Sequence, residues 1–209
     1  MSKRAVIVVD VQQQYFDGVL RIQHPSPEDS LANVERVLDA AIERDLPVAV
    51  VQHEYPEQAP VFAKGSDGWR VRPEVESRVQ PSWTHVTKNK GSVFAGTDLA
   101  GWLAERDVDT VTLVGFMTNN CDLASAVYAE ELGLTAEVLS DASGAIHLAN
   151  DAGKIHARDV HETLMVLLNS NFAAVASTDQ WLAALESGES LPKSSLGESA
   201  AQGAAVFGA

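Results

Sequence analysis

The sequence predicts one α/β domain: a three-layer α/β/α arrangement around a six-stranded, mainly parallel sheet. Short runs of apolar, β-branched residues alternate along the chain with segments of helical period. Strands that alternate with helices pair in parallel. The 209 residues suit a single domain. The 45% hydrophobic and 21% charged residues are ordinary globular values, which argues against extensive disorder.

Six apolar runs are the predicted strands. They are residues 5–9, 48–51, 85–87, 110–114, 134–139 and 172–176. The first run, Ala-Val-Ile-Val-Val, is continuous, as expected of a parallel strand buried on both faces. The run at 85–87 is the weakest of the six because it is short and contains His85.

Helical spacing of apolar residues predicts five helices between and after these strands. They are residues 28–44, 97–106, 121–132, 152–168 and 178–185. Leu31, Val34 and Leu38 lie on one face of the first helix. Thr97 is a candidate N-cap of the second helix, and Gly133 ends the third.

Two segments interrupt the alternation of strands and helices. Residues 53–83 contain four prolines, two glycines and two tryptophans, and connections of this length tend to be functional. Residues 187–209 are rich in Gly, Ala and Ser, which predicts a flexible tail after a domain spanning residues 1–186. The alternative is that this tail packs on another subunit. The apolar residues available for such a contact are Leu191, Leu196, Val206 and Phe207.

Charge and composition exclude several classes of function. Lys and Arg total 15 against 29 Asp and Glu, a formal net charge of −14. A field of this sign repels phosphate backbones, so we expect no nucleic-acid partner. No segment approaches the roughly 18 apolar residues of a membrane span, and the N-terminus lacks a signal-peptide pattern. We therefore expect a soluble, cytoplasmic protein without a membrane partner. The chain has a single cysteine, Cys121, which excludes an intramolecular disulfide.

Chemically reactive residues follow four of the predicted strands. Asp10 follows the first strand, His53 the second and Lys88 the third, while residues 115–121 (GFMTNNC) follow the fourth. Open α/β sheets bind ligands at the carboxyl ends of their strands. An acid, a cation and the thiol of Cys121 should therefore converge at one sheet edge, where they would supply a proton acceptor, a positive charge and a nucleophile.

Cys121 lies at the predicted start of a helix, where free N–H groups and the helix dipole favour a thiolate. A nearby Lys88 would lower the pKa of the thiol further, and a nearby Asp10 could accept its proton. A lone cysteine is also commonly an inert buried residue. Position and composition leave both readings open.

The sequence resembles the isochorismatase-like superfamily, the cysteine hydrolases that include the nicotinamidases. The resemblance covers about residues 4–185, and its specific segments occur in the family's order. These segments are VIVVDVQQQYF (6–16), TKNKGSVFAGTDLAGWL (87–103), VTLVGFMTNNCDLASAVYAEELGLTAEVLSDASGAI (111–146) and HETLMVLLNSNFAAVASTDQWL (161–182). The resemblance implies a Rossmann-like hydrolase fold and a homo-oligomer, dimer or tetramer, acting on a small molecule.

The same resemblance implies a catalytic triad of Asp10, Lys88 and Cys121. Lys88 is chosen over Lys90 because it stands six positions before Phe94, as in the family pattern. In the implied mechanism, Asp10 takes the thiol proton and the sulfur attacks an amide carbonyl. The amine leaves, and water hydrolyses the resulting thioester.

The resemblance also implies a cis peptide bond at Phe116–Met117 and an oxyanion hole formed by the N–H groups of Met117 and Cys121. Two alternatives to amide hydrolysis remain open. One is an isochorismatase that cleaves a vinyl ether with Asp10 as general acid and no need of a thiol. The other is a non-catalytic binding or redox-sensing protein with one reactive cysteine.

The sequence departs from the nicotinamidase pattern at the metal site. Nicotinamidases bind a metal through Asp-x-His and a second His, whereas here Val51 stands where the Asp is required and only His53 is retained. We therefore expect no metal and no cofactor. The candidate substrate-binding residues are Gln12, Phe16, His53, Trp69 and Asn120. Three later histidines are interpreted as surface or capping residues: His147, His156 and His161.

Overall fold

The computed structural model describes residues 2–208 and has the predicted three-layer α/β/α architecture. Its main sheet has six parallel strands in the order β3-β2-β1-β4-β5-β8. The strands are β1 (Arg4–Val9), β2 (Val48–His53), β3 (Thr84–Lys88), β4 (Thr110–Phe116), β5 (Thr135–Gly144), β6 (Leu148–Asn150), β7 (Gly153–Ile155) and β8 (Ala173–Ala176). Strands β6 and β7 form a separate antiparallel hairpin.

Helices connect the strands, and a π-helical turn, Thr118–Asp122, follows β4. The helices are α1 (Gln14–Asp17), α2 (Pro27–Glu43), α3 (Pro73–Glu76), α4 (Leu99–Ala104), α5 (Leu123–Glu131), α6 (Ala157–Asn171), α7 (Thr178–Ser187) and α8 (Leu196–Phe207). None of the helices within residues 2–208 combines the length and the apolar character needed to cross a bilayer.

Strands β1, β2 and β4 form the centre of the sheet and are buried on both faces. Their apolar runs are continuous because helices pack on each side of the sheet, so no residue alternates toward solvent. One apolar layer, which includes the fully buried Trp181 of α7 together with α2, lies on one face. The other layer contains residues of α4, α5 and α6.

The strand order places a topological switch point between β1 and β4. The chain proceeds from β1 through β2 to β3 on one side, then returns to β4 and continues to β5 and β8 on the other side. The segments that leave the carboxyl ends of β1 and β4 therefore diverge and open a crevice, which is the usual ligand site of such sheets. Asp10 leaves β1 at this point, and the π-helical turn leaves β4.

The helix predicted over residues 152–168 begins later than expected. Residues 148–155 instead form the β6–β7 hairpin, and α6 starts at Ala157. Gly153 has a φ of +145°, a backbone conformation that a right-handed helix does not allow. The hairpin is accordingly a correction to the sequence prediction.

The tail, expected to be flexible, contains the helix α8. Ser195 and Glu198 form a capping box, in which each side chain binds the backbone N–H of the other residue. The Ser-x-x-Glu pattern is present in the sequence and indicates a helix start, but a prediction from composition alone does not use it. No side chain of α8 is buried in the described part of the chain.

Candidate active site

Asp10, Lys88 and Cys121 converge at the carboxyl ends of β1, β3 and β4. The Lys88 Nζ lies 2.6 Å from Asp10 Oδ2 and 3.3 Å from Cys121 Sγ. The exposed fractions of the three residues are 0%, 3% and 1%, respectively. The arrangement is therefore an acid, a cation and a thiol in mutual contact and shielded from water, where electrostatic interactions are strong.

Lys88 contacts every other member of this cluster. Besides Asp10 and Cys121, its ammonium contacts His53 Nδ1 at 2.9 Å and the Lys90 carbonyl at 3.1 Å. His53 and Lys88 are register partners at the ends of β2 and β3. An ammonium has three hydrogens, which matches its hydrogen bonds to His53, Lys90 and Cys121. Asp10 Oδ2 contacts the same ammonium as an ion pair.

His53, a predicted substrate-binding residue, lies within this cluster. Because Lys88 donates to its Nδ1, the ring proton of neutral His53 sits on Nε2. That Nε2 is buried and has no hydrogen-bond partner among the described residues. The imidazole packs against the rings of Tyr55 and Phe62, with centroids 4.7 and 5.0 Å away. It therefore offers one unsatisfied donor in an otherwise apolar surrounding.

The pKa of the Cys121 thiol is raised in the structure, whereas the helix start and Lys88 were expected to lower it. Burial raises the pKa of Cys121, and the Asp10 carboxylate raises it further, while Lys88 lowers it only in part. The cysteine also lies in the π-helical turn, whereas α5 begins at Leu123, so it does not occupy the first turn of an α-helix. The resting residue is a thiol that accepts a hydrogen bond from Lys88.

Lys88 itself remains charged. Burial acts to lower the pKa of its ammonium, but Asp10 and Cys121 outweigh that effect and raise the pKa. The resting cluster is therefore an ammonium–carboxylate ion pair beside a neutral thiol. The thiol proton has a ready acceptor in Asp10, whose Oδ1 has no hydrogen-bond partner among residues 2–208.

The backbone at the switch point is held in uncommon conformations. Asp10 has a φ of +48°, in the left-handed region that non-glycine residues seldom adopt. Gly115 has a φ of +118°, and a Cβ there would collide with the Val9 carbonyl. A cis peptide bond joins Phe116 to Met117, at the position that the resemblance implies. Asp10 directly follows β1, while Gly115 and the cis bond lie at the end of β4, directly before the turn that carries the nucleophile.

The turn that carries Cys121 is closed by its own backbone. The Met117 carbonyl accepts hydrogen bonds from the N–H groups of Asn120, at 3.0 Å, and Asp122, at 3.3 Å. The Cys121 carbonyl accepts from Ser125 Oγ at 2.6 Å. π-Helical turns of this kind occur frequently at functional sites. The oxyanion donors implied for Met117 and Cys121 lie in this turn and stay a prediction.

Gln12 is not a substrate-binding residue. Its side chain is fully buried, and its Nε2 donates to the carbonyls of His53 at 3.0 Å and Trp69 at 2.7 Å. Its Oε1 accepts from the His53 N–H at 2.8 Å. The side-chain amide forms its hydrogen bonds with backbone groups, so Gln12 connects the loop that contains Trp69 to the end of β2.

The two predicted aromatic pocket residues contact other parts of the molecule. Phe16 belongs to the apolar core, with its ring centroid 5.7 Å from that of Phe116 and the Arg72 guanidinium 4.5 Å above it. Trp69 lines a separate cavity of about 360 Å³ together with Gln52. Neither aromatic ring is therefore placed as a wall of the catalytic cluster.

Asn120, by contrast, is exposed directly beside the buried nucleophile. It lies close to Gly91, where a Cβ would come within 3.1 Å of the Asn120 Oδ1. The preceding Asn119 has a buried Oδ1 that finds no hydrogen-bond partner in the described part of the chain. Of the predicted substrate-binding residues, Asn120 is exposed and Trp69 is half-buried.

Geometry alone would allow a metal at the cluster. One potential ligand atom each from Asp10, His53 and Cys121 lies within 4.8 Å of the others. The Lys88 ammonium, however, contacts all three of these groups, and a divalent cation would have to displace that positive charge. The carboxylate, imidazole and thiol therefore fit contact with the lysine ammonium better than coordination of a metal ion.

Two buried titratable residues at this site were missed by sequence reasoning. Asp122, directly after the nucleophile, is fully buried; burial raises its pKa, and Asp10 adds to that effect. His161, interpreted as a surface or capping residue, is buried, and its Nδ1 lies 2.9 Å from Thr118 Oγ1. His147 does cap a helix, since its Nδ1 accepts from the Ala157 N–H at the start of α6.

Known proteins share this fold along its whole length. A crystal structure of a protein from Burkholderia xenovorans LB400, named provisionally as an isochorismatase, matches with a TM-score of 0.96 and 42% identity over 100% of this chain and 99% of its own. YddQ, an uncharacterised isochorismatase family protein of Bacillus subtilis (strain 168), is 29% identical over 85% of this chain and 98% of its length.

A relative with a named activity also matches most of the chain. Maleamate amidohydrolase of Pseudomonas putida is 26% identical over 189 residues, which cover 84% of this chain and 83% of that protein. The sequence profile of the isochorismatase domain matches residues 4–180. This match includes every strand of the sheet and all three residues of the cluster, and it shows that the chain belongs to the isochorismatase family.

Proposed function

We propose that this hydrolase cleaves a C–N amide bond of a small molecule through a thioester on Cys121. The observation that carries the proposal is the buried contact of Lys88 with both Cys121 Sγ, at 3.3 Å, and Asp10 Oδ2, at 2.6 Å. A nucleophile, a cation and a proton acceptor in contact are the parts that covalent acyl transfer requires. The match to maleamate amidohydrolase supports an amide as the class of substrate.

The resting thiol determines the order of events. As Sγ attacks the carbonyl carbon, its proton passes to Asp10, and Lys88 balances the negative charge that develops. The tetrahedral intermediate collapses when the C–N bond breaks and the amine leaves with the proton from Asp10. Water then attacks the thioester with Asp10 as base, which releases the acid and restores the thiol on Cys121.

The turn before the nucleophile would stabilise the oxyanion. We assign this role to the N–H groups of Met117, which directly precedes the π-helical turn, and Cys121, which lies within it. Backbone donors fixed in a dry site are worth several kcal/mol at the transition state because they need no reorganisation during the reaction. Substrate must reach a cluster whose three members are at most 3% exposed, so entry requires displacement of the side chains that cover it.

A vinyl-ether hydrolase is the second candidate, and one observation favours it. The raised pKa of Cys121 leaves a neutral thiol at rest, and an acid-catalysed cleavage needs no thiolate, but Asp10, a carboxylate in the resting ion pair, would first have to take up a proton. The third candidate, a redox sensor, is disfavoured by the same pKa and by burial, because sensor cysteines are exposed and have low pKa values.

The deciding experiment combines turnover with trapping of the intermediate. A panel of small amides is incubated with the protein while ammonia or amine release is measured, and rapidly quenched samples are examined by intact mass spectrometry. We expect an acyl adduct on Cys121, which is unambiguous because the chain has one cysteine. Lys88→Ala should abolish the adduct, whereas the matched control Lys90→Ala should retain it, because only the Lys90 backbone carbonyl contacts the cluster.

Two results would contradict the thiol mechanism. Cys121→Ala with full hydrolytic activity would exclude a thioester and favour Asp10 as a general acid. Turnover of a vinyl ether by the same variant, together with no release of amine from any amide, would establish the second candidate instead.

We also propose that the protein assembles as a homo-oligomer, a dimer or a tetramer, through α8. This helix exposes Leu196, Val206 and Phe207, whose exposed fractions are 65%, 73% and 89%. It carries one charged residue, Glu198, on a chain with a net charge of −14, so like-charged copies could approach each other there. A chain truncated after residue 194, which removes α8 alone, should contain fewer subunits per particle in size-exclusion chromatography with light scattering; an unchanged number of subunits would refute the proposal.

A further inference from the structure

His161 stands outside the catalytic cluster but contacts the turn that bears the nucleophile. It belongs to α6, forty positions after Cys121 in the chain, and is 4% exposed. Its Nδ1 lies 2.9 Å from the Thr118 Oγ1, and Thr118 is itself fully buried. A polar pair at this depth, between a helix and a functional turn, requires an explanation beyond packing.

The imidazole of His161 is uncharged in its buried surroundings. Burial lowers the pKa of His161 to about 4, with a contribution from His24, whose ring centroid is 5.7 Å away. The ring is therefore neutral near pH 7 and carries one proton. In the tautomer with this proton on Nε2, Nδ1 accepts and the Thr118 hydroxyl donates.

Thr118 uses its hydroxyl differently from other hydroxyl residues near the site. The hydroxyls of Thr97 and Ser125 each donate to the carbonyl four residues earlier, at 2.7 and 2.6 Å, which is the common local choice. The Thr118 hydroxyl is instead paired with a side chain of another element. Because Thr118 is the first residue of the π-helical turn that ends beyond Cys121, its orientation sets where the turn begins.

We propose that His161 is a positioning residue that fixes the nucleophile turn by accepting the Thr118 hydroxyl hydrogen bond. The pair anchors the turn to α6, so the N–H groups of Met117 and Cys121 and the sulfur keep one geometry during acyl transfer. This inference rests on the proposed function, since it assigns the pair a role in that reaction. A displacement of about 1 Å at a reacting centre can cost about 100-fold in rate, which is the effect that such an anchor would prevent.

The test compares variants that keep or remove the acceptor. His161→Asn places an amide oxygen near the position of Nδ1, whereas His161→Leu removes every acceptor. Thr118→Val removes the hydroxyl without changing the shape, and Thr118→Ser keeps it. His156→Leu is the matched control, because His156 is an exposed histidine directly before the same helix.

The probe is p-nitrophenyl acetate, with acetylation of Cys121 followed by mass spectrometry and p-nitrophenol release. We expect His161→Leu and Thr118→Val to acetylate at least about tenfold more slowly, with a circular dichroism spectrum like that of the original protein. His161→Asn and Thr118→Ser should recover most of the rate. The double variant His161→Leu/Thr118→Val should be no slower than either single variant, because the two groups act as one unit.

Three outcomes would overturn the inference. They are unchanged acetylation rates in both Thr118→Val and His161→Leu, equal loss in His161→Asn and His161→Leu, and additive loss in the double variant. Failure of the proposed function looks different: Cys121 of the original protein would then not acetylate at all. In that case the iodoacetamide rate of Cys121 in each variant reports the geometry of the turn, and the same order of variants is expected.

Discussion

Two buried ion pairs occupy opposite ends of the same sheet, and their hydrogen bonding differs. At the amino ends of the strands, Arg4 binds Glu137 with three hydrogen bonds of 2.9–3.0 Å. Glu137 also accepts from Thr112 Oγ1 at 2.8 Å, which in turn accepts from Trp181 Nε1 at 2.9 Å. Arg4 donates further to the Glu189 carbonyl. This pair is saturated, as a structural ion pair must be when it is dry.

The pair at the carboxyl ends, Lys88 and Asp10, is unsaturated. Within residues 2–208, neither carboxyl oxygen of Asp10 or of Asp122 accepts a hydrogen bond, and His53 Nε2 has no hydrogen-bond partner. Asp10 Oδ2 contacts Lys88 as an ion pair, while the hydrogen bonds of the ammonium go to His53, Lys90 and Cys121. Groups that must exchange protons and bind a substrate cannot all be satisfied in the resting state. Burial alone therefore does not distinguish the two pairs, whereas hydrogen-bond saturation does.

The largest expected effect separates the pairs by activity. Cys121→Ala should reduce amide hydrolysis by about 10⁴-fold or more, because it removes the nucleophile that the Lys88–Asp10 pair serves. Thr112→Val, which alters the saturated pair, should leave the rate per folded molecule unchanged. Steady-state rates, normalised to the folded fraction, test both statements. A large loss of rate in Thr112→Val would show that the two ends of the sheet are not functionally separate.

The second effect separates the pairs by stability. Glu137→Ala leaves the Arg4 guanidinium buried without its partner, which should lower the free energy of unfolding by about 3–5 kcal/mol. Urea denaturation measures this change. Glu105→Ala is the matched control: the Glu105 side chain is 78% exposed and lies 3.7 Å from Arg106, so the effect should stay within about 0.5 kcal/mol. Equal effects at the two positions would mean that the buried pair contributes no more than a surface pair.

The sequence predicted one of these pairs and was silent on the other, for a physical reason. Parallel strands bring their carboxyl ends to one edge, so polar residues that directly follow apolar runs, such as Asp10 and Lys88, can be placed together in advance. Arg4 and Glu137 are 133 positions apart, and each lies inside a strand. A single sequence contains no signal that these two side chains form an ion pair.

The errors at the site have a similar origin. Gln12 was assigned to substrate because its position in a motif does not show which atoms its amide contacts. The thiolate at Cys121 was expected from the nearby lysine and the helix start, but burial and Asp10 oppose both and could be weighed only from the fold. His161 looked like a surface residue because spacing along one helix cannot show a contact with a turn 43 positions earlier.

The third expected effect is a loss of activity together with a gain in the free energy of unfolding when the Lys88–Asp10 pair is replaced. Replacing Lys88 with Met and Asp10 with Leu together removes two buried charges and several unsatisfied atoms. We expect the double variant to be inactive yet more stable in urea by about 1–4 kcal/mol, as found when hydrophobic residues replace buried ion pairs. The positive φ of Asp10 penalises Leu, so Asp10→Asn with Lys88→Met is the second variant. If both variants were less stable than the original protein, the pair would be structural like Arg4–Glu137.

The smallest effect tests the direction in which each charge acts on the thiol. Because the pKa of Cys121 is raised, iodoacetamide should modify it more slowly at pH 7 than free cysteine, and the rate should increase as the pH rises above the ordinary thiol pKa. Asp10→Asn removes a negative charge that raises this pKa, so the thiolate fraction and the rate should increase, by about tenfold for each unit that the pKa falls. Lys88→Met removes the charge that lowers the pKa and should slow the reaction. Opposite shifts in the two variants identify electrostatics as the cause, whereas faster alkylation in both would show that each substitution merely opens the buried site.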